Sequence, residues 1–522
     1  MAYARRSGIL LHPTALPGPF GIGDLGPPAH QFVDFLHATD QQLWQVLPLN
    51  HIGFGNSPYM CISAYAGNPA LVSLELLVRE GLLETAQIAR PPAFPAQFVD
   101  FGWAAAYKMP LLIKAFSNFK NRHADKLPDE FYAFIESNAF WLEDYALFAA
   151  LKDYHQGLPW TKWEHEARDR HPEALAGWRT RLMDEVRFWM FVQFIFFKQW
   201  RNLREYCHAA GIRIIGDIPL YVAHDSAEVW SRRRLFQLDQ TGAPVVVAGV
   251  PPDYFSSTGQ RWGNPIYRWD RIEEDGFAWW IDRFRINLML VDALRLDHFR
   301  GFEAYWEIPA SEPTAVNGRW VKGPGAKLFK AVEAQLGEIE IIAEDLGVIT
   351  PEVDILRERL GYPGMRILQM AFGNDPKAAD YRPHHYVRNC VCYTATHDHN
   401  TTLGWFTAAP GTQTTQSHEE IRCEREAVLD YVNTNGSEIH WDFIRLAMGS
   451  VAETAIFPLQ DVLGLSSAAR MNLPGTSQGN WQWRFEAETL TPAIRNRLKT
   501  LTRIYERTAR PEAQCVLQSK EH

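Results

Sequence analysis

Val291-Asp292-Ala293-Leu294-Arg295-Leu296-Asp297-His298 is a short apolar run that ends in charge. A strand repeats every two residues, so Ala293, Arg295 and Asp297 share one face while Leu294 and Leu296 share the other. The polar pair looks inward and the leucines face covering helices, the pattern of a parallel barrel strand with chemistry at its C-terminal end. Two further apolar runs end the same way, at Ile342-Ala343-Glu344-Asp345-Leu346 and Thr396-His397-Asp398-His399-Asn400.

Around these three strings, short apolar segments recur at 8–12, 43–49, 213–219, 291–297, 339–344, 365–371, 391–398 and 455–460. Helix-like stretches such as 326–336 and 351–360 separate them, and strand-then-helix alternation implies parallel strands with right-handed crossovers. Eight such units predict an α/β fold, a (β/α)8 TIM barrel. The gap from Leu49 to Arg213 far exceeds one crossover, which places a large insertion at about 50–210, mainly helical across 131–206. A second insertion, 225–270, is rich in Pro, Gly, Trp and Ser and reads as loop over the barrel mouth. The expected organisation is one elaborated catalytic domain over 1–510, with a mobile connection at 410–420 and a loosely held tail at 511–522.

The 522 residues, 46% hydrophobic and 22% charged, supply a large core. A net charge of −9 with no basic run longer than Arg232-Arg233-Arg234 argues against a nucleic-acid partner. The six cysteines show no CxxC and no regular spacing, so reduced thiols and a cytoplasmic location are expected rather than a disulfide framework. The start of the chain has too short an apolar run for an export signal, and the run 188–197, interrupted by Gln193, is too short to span a bilayer. It reads as a buried helix.

Carboxylates that converge at strand ends suit the cleavage of glycosidic bonds, where one acts as nucleophile and another as acid. Arg295 beside Asp297 favours the ionised form that a nucleophile needs, although a structural ion pair has the same signature. Glu344 shares the inward face of Ile342 and is the candidate acid, a partly desolvated carboxyl next to another carboxylate. Asp345 falls on the opposite face and is expected to cap the following turn. Asp398 would be a third carboxylate gripping sugar hydroxyls, with His397 donating beside it. Asp217 either orients Arg295 or touches substrate, and a supporting role is favoured. His397-x-His399 also admits a metal reading, weakened by the missing later histidine ligand and by its place on the seventh strand.

At these residues the chain resembles the amylomaltases, 4-α-glucanotransferases of glycoside hydrolase family 77 in their short bacterial form. The likeness is carried by Gly55-Asn56-Ser57-Pro58-Tyr59 with Gly67-Asn68-Pro69, by Ala248-Gly249-Val250-Pro251-Pro252-Asp253-Tyr254-Phe255, and by Gly259-Gln260-Arg261-Trp262-Gly263-Asn264-Pro265. It implies Asp297 as nucleophile, Glu344 as acid/base and Asp398 as transition-state stabiliser, with Arg295, Asp217 and His397 around the cleaved bond. It further implies that Tyr59 stacks on or bonds a donor sugar, that Ser57 and Asn472 contact hydroxyls, and that Asp253, Gln260 and Trp262 line the acceptor side. His399-Asn400-Thr401 departs from the Asn-Asp-Thr common in the family and bears on local substrate contacts. No separate C-terminal β-domain of the α-amylase kind is expected.

The implied substrates are α-1,4-glucans (maltooligosaccharides, amylose, glycogen-derived dextrins), with glucose as an acceptor. The implied reaction is a retaining transfer of glucan segments, needing no cofactor or metal and no membrane partner. An α-amylase-like hydrolase would use the same three carboxylates, and a binding protein without activity is disfavoured because every expected acid is present.

Overall fold

In the computed structural model, which describes residues 5–123, 126–252, 256–409, 416–476 and 478–508, the strands run in chain order as follows. They are β1 (Arg6–Leu10), β2 (Leu43–Gln45), β3 (Arg213–Ile218), β4 (Val246–Val250), β5 (Gln260–Pro265), β6 (Ala293–Leu296), β7 (Ala304–Pro309), β8 (Arg319–Lys322), β9 (Ile341–Ala343), β10 (Gly364–Ile367), β11 (Cys390–Tyr393) and β12 (Thr454–Pro458). β1, β2, β3, β6, β9, β10, β11 and β12 close into a barrel in that order, with β12 pairing back on β1. Every pairing around the ring is parallel. Each of the eight apolar segments supplies one barrel strand, as the alternation of strand and helix requires.

The register decides where the chemistry sits. Asp217 on β3 is level with Arg295 on β6, and Arg295 is level with Ile342 on β9. Side chains level with one another in a sheet point the same way, so Asp217, Arg295 and Ile342 project inward in one layer. Asp297 and Glu344, each two residues further on, project inward above them at the C-terminal mouth. The leucines of β6 are fully buried on the other side.

The insertion between β2 and β3 is helical, with Phe101–Arg122, Asp129–Ser137, Ala139–Tyr154, Pro172–Arg181 and Met183–Ala209 its longer members. The run 188–197 lies buried within Met183–Ala209, and no helix of the described residues is long and apolar enough to cross a membrane. Gln193, the polar residue in that run, spends its amide on the backbone of Gly67, accepting from Gly67 N at 2.7 Å and donating to its carbonyl at 3.0 Å. A side chain on Gly67 would begin 2.1 Å from the Phe196 ring, so the Gly67-Asn68-Pro69 string is a close approach of backbone to helix. Asn68 then caps the turn Pro69–Leu71 by accepting from Ala70 N at 3.0 Å.

The stretch 225–270, expected as loop, is more ordered than that. β4 and β5 pair antiparallel within it and join β7 and β8, which follow β6, in a four-stranded sheet of order β5-β4-β7-β8. Gly249, Gly263 and Pro265 sit inside these strands and erase the alternation that would otherwise mark them. The second partner of β4, β7, is distant in sequence. Of the connection 410–420, residues 410–415 lie outside the described residues, as does the tail 511–522.

The closing seam of the barrel is tied by arginine. Arg507, fully buried, donates to the carbonyl oxygens of Arg6 (2.8 Å), Met448 (3.0 Å), Ala452 (2.8 Å) and Glu453 (3.0 Å), so a residue beyond the last described helix, Pro492–Ile504, holds β1 against the approach to β12. Arg5 reinforces it through the carbonyls of Met448 (2.6 Å) and Ser450 (3.0 Å).

Candidate active site

Arg295 is the centre of the mouth. Its guanidinium is 3% exposed and serves three carboxylates: Nη1 donates to Asp217 Oδ2 at 2.5 Å, and Nη2 donates to Glu344 Oε2 at 2.7 Å and to Asp297 Oδ1 at 3.3 Å. Tyr59 Oη also donates to Asp217 Oδ2, at 2.7 Å. Asp217 therefore faces Arg295 and Tyr59 together, and it is buried while Asp297 keeps 28% of its side chain exposed. Glu344 gains a second donor, the backbone N–H of His298 at 2.8 Å.

The third carboxylate is fixed from a different part of the chain. Asp398 Oδ1 accepts from Asn472 Nδ2 at 2.7 Å and lies 3.5 Å from His397 Nε2, while Asn472 N–H donates to the His397 carbonyl at 3.1 Å. The Tyr59 ring stacks on His397, with centroids 5.1 Å apart and planes 17° from parallel. Tyr59, Asp217, Arg295, Asp297, Glu344, His397, Asp398 and Asn472 thus form one connected cluster. Ser57 stands at its edge, its hydroxyl accepting from Tyr59 N–H at 3.2 Å.

Trp262 reaches the cluster through His298, whose ring it meets edge-on at 4.9 Å, and its indole N–H donates to Gln260 Oε1 at 3.1 Å. Both belong to β5, so the antiparallel sheet brings its edge strand to the mouth. Asp253 lies outside the described residues.

The electrostatics depart from the simple picture of Arg295 keeping Asp297 ionised. Burial and the neighbouring Glu344 carboxylate push Asp297 well above the ordinary carboxylate range, and the one long contact from Arg295 does not offset them. Burial also acts on Glu344, but Arg295 and the His298 N–H outweigh it and hold that carboxyl below its usual value. The stronger donors of Glu344 thus set the two neighbouring carboxyl groups apart, Asp297 upward and Glu344 downward. Asp398 is held low despite burial, by His397 and Asn472. Asp217 is raised by burial, against Arg295 and His397.

Three residues of the site escape a reading of the sequence. His298 sits in left-handed backbone (φ 49°, ψ 51°), which aims its N–H at Glu344 and turns its ring to Trp262. Its Nε2 is buried without a partner, and burial lowers the ring to about 4, so it is neutral at pH 7. Trp481, also at positive φ (66°), packs 5.8 Å from Tyr59 and 5.9 Å from His397. Arg470 donates to the Asp398 carbonyl at 2.7 Å. His298 is adjacent to a flagged carboxylate, but the others carry no local signal.

Asp345 corrects another expectation. Instead of capping the next turn it accepts from Met365 N–H of β10 at 2.7 Å and pairs with Arg366 at 3.2 Å and Arg357 at 3.3 Å, a buried tie between neighbouring strands. The imidazoles of His397-x-His399 take separate partners, Asp398 and the Thr396 hydroxyl (2.7 Å). A grouping of His165, Asp169 and His171 within the helical insertion has ligand geometry, but Asp169 is already held by Arg168 and Arg233, each at 2.9 Å.

The sequence model of a family described as 4-alpha-glucanotransferase matches residues 11–490. A curated 4-alpha-glucanotransferase of Thermus thermophilus is 50% identical over 512 residues, 97% of this chain and 100% of that protein. One from Synechocystis is 48% identical over 507 residues, 96% of this chain and 98% of its own. Among solved structures, an amylomaltase from Streptococcus agalactiae in complex with acarbose superimposes with a TM-score of 0.90 at 38% identity, covering 97% of this chain and 100% of the other.

Proposed function

This chain belongs to glycoside hydrolase family 77, the 4-alpha-glucanotransferases, and from that premise we propose a retaining double displacement in which Asp297 and Glu344 act on one glucosyl unit. Its substrates are α-glucans. Glu344 gives a proton to the glycosidic oxygen as Asp297 attacks the anomeric carbon, the bond to the leaving sugar breaks, and a covalent glycosyl-enzyme forms. Glu344, now ionised, takes the proton from an incoming 4-hydroxyl, which displaces Asp297. Two inversions return the α-configuration.

The observation that carries this reading is the single guanidinium nitrogen, Arg295 Nη2, that touches both carboxyl groups, at 3.3 and 2.7 Å. Two carboxyl groups held on one nitrogen support the close spacing of a retaining pair over the wider one that leaves room for a water between them. Attack requires Asp297 ionised and Glu344 protonated, against the direction in which the free site pushes each group. A donor glycosidic oxygen beside Glu344 favours its protonated form, since it offers the acid a hydrogen-bond acceptor. Asp398, kept ionised by His397 and Asn472, supports the positive charge that develops on the sugar ring.

Transfer must outrun hydrolysis while the intermediate waits, which requires an acceptor site that excludes water. Trp262, which packs on His298 and bonds Gln260, is linked to Glu344 through the His298 N–H, and these three residues are assigned to the acceptor site, with maltooligosaccharides, amylose, dextrins or glucose as acceptors; Tyr59, Ser57 and Asn472 are assigned to the donor. Five described cysteines are free thiols, which supports a cytoplasmic setting, and we read the chain through residue 508 as one catalytic domain.

Incubation with maltotriose tests the function: glucose with a ladder of longer oligomers is expected, and glucose with maltose but no elongation would replace transfer by hydrolysis. Trp262→Ala is expected to raise the ratio of hydrolysis to transfer about tenfold, the factor equivalent to ~1.4 kcal/mol of acceptor binding. Glucose release measured against oligomer growth reads it directly, and an unaltered ratio removes Trp262 from the acceptor site.

A further inference from the structure

Asp461 follows β12 in the short helix Leu459–Val462 and is fully buried, yet none of the ion pairs among the described residues includes it. Its carboxylate is spent on one loop. Oδ2 accepts from the hydroxyls of Thr394 at 2.6 Å and Thr402 at 2.7 Å, and Oδ1 accepts from Thr402 N–H at 2.6 Å. Thr394 is the residue after β11 and Thr402 opens the helix Thr402–Thr407. Between them runs the segment that carries His397, Asp398 and His399, so one carboxylate pins both ends of the loop that presents the third acid.

The loop needs such a pin. Beside it lies a small cavity of about 20 Å³, room for about one water molecule, lined by Leu11, His12, Thr396, His397, Arg470 and others. The cavity leaves room on that side, and side-chain hydrogen bonds hold the loop in place. Gln369 Nε2 donates to the Asn400 carbonyl at 2.9 Å, and Arg470 and Asn472 hold the tip at Asp398. Asp461 is the group that joins the two feet. An unpaired carboxylate is costly to bury, and three donors on two oxygens offset that cost.

We propose that Asp461 is a positioning residue for the glucanotransferase reaction: by closing the base of the 394–402 loop it sets the height of Asp398 opposite Asp297 and Glu344. The inference rests on the role given above to Asp398. Loss of the pin lets the loop settle toward the cavity, and displacement of a charge-stabilising group by about 1 Å costs about 100-fold in rate. Because Asp398 acts on charge that exists only in the transition state, the loss falls on kcat and leaves KM nearly unchanged.

The experiment is a double-variant cycle on the full chain with an activated α-maltosyl fluoride donor, on which weakened enzymes still turn over. Asp461→Ala, Asp461→Asn, Asp398→Ala and the double variant Asp461→Ala/Asp398→Ala are compared, with unfolding followed for each. Asp461→Ala is expected to lower kcat about 100-fold with KM within about threefold. Asp461→Asn keeps one acceptor oxygen and is expected to recover at least about tenfold of that loss; should the alanine variant fail to fold, the asparagine variant carries the same kcat-against-KM reading. In the Asp398→Ala background Asp461→Ala should change nothing further. Losses that multiply in the double variant, or folded Asp461 variants with wild-type kcat, overturn the inference. Wild-type turnover by Asp398→Ala itself would instead overturn the role of Asp398.

Discussion

Asp297→Ala is expected to lower turnover of maltotriose by at least about 10⁴-fold, the scale on which removal of a covalent nucleophile is felt. The fold should not suffer. Asp297 adds a carboxyl to a mouth already holding Asp217 and Glu344, and burial with like charge pushes its proton affinity up. A carboxyl raised in this way stabilises the fold fully only below its unfolded pKa, and the contribution is lost as pH rises through the folded value. At pH 7 its removal therefore leaves stability unchanged or improved, which urea unfolding measures. Azide separates a nucleophile from a structural acid. With Asp297 gone, an activated α-glycosyl donor and azide should give the β-glycosyl azide, the product of one displacement. Turnover within tenfold of wild type, with α-linked products, would remove Asp297 from the chemistry.

Arg295→Met is expected to cost about 3–5 kcal/mol of stability at pH 7, because removal of one partner strands the others in a buried site. Here one guanidinium serves Asp217, Asp297 and Glu344. The pH dependence follows from Glu344, whose folded pKa is below its unfolded value. Such a group contributes stability that is present above the unfolded pKa and lost as pH falls through the folded one. Without Arg295 burial is left to dominate and Glu344 rises, so the deficit of the variant shrinks as the pH is lowered through the carboxylate range. Urea unfolding across pH 4 to 8 reads this. In the activity profile the acid limb should move upward, since loss of the guanidinium raises both Asp297 and Glu344. A loss below about 1 kcal/mol, the scale of an exposed pair, would show that these charges are not desolvated together.

Most of the barrel is legible in the sequence because each barrel strand carries its own burial pattern. The face of Arg295 and Asp297 follows from a period of two, and the register with Ile342 puts Glu344 beside them. What escapes is set by partners distant in the chain. A lone Asp345 reads as a turn cap until Arg357 and Arg366 arrive from the next helix and strand. β4 is invisible as a strand without β7, and glycines and a proline blur it and β5. His298 and Trp481 take a left-handed backbone that only glycine, asparagine or aspartate normally announces. Tyr59 and Trp262 stand out from the other aromatics by family resemblance, since no periodicity separates a sugar-facing ring from a core one.

The seam between β1 and β12 also governs how the chain is made. Arg6 pairs with Thr454 and Gly8 with Ile456, so one edge of the first strand to leave the ribosome finds its neighbour only near the end of synthesis. At ~5–20 residues per second that wait is on the order of 20–90 s. Throughout it β1 is an exposed edge with unpaired amides, the condition under which nascent chains pair with one another. Arg507 is made later still, and its contacts with backbone carbonyls lock the ring only after translation has passed every barrel strand. Yield on expression is therefore tied to the final residues of the catalytic unit, and truncation before Arg507 leaves the first strand waiting for a latch that never arrives.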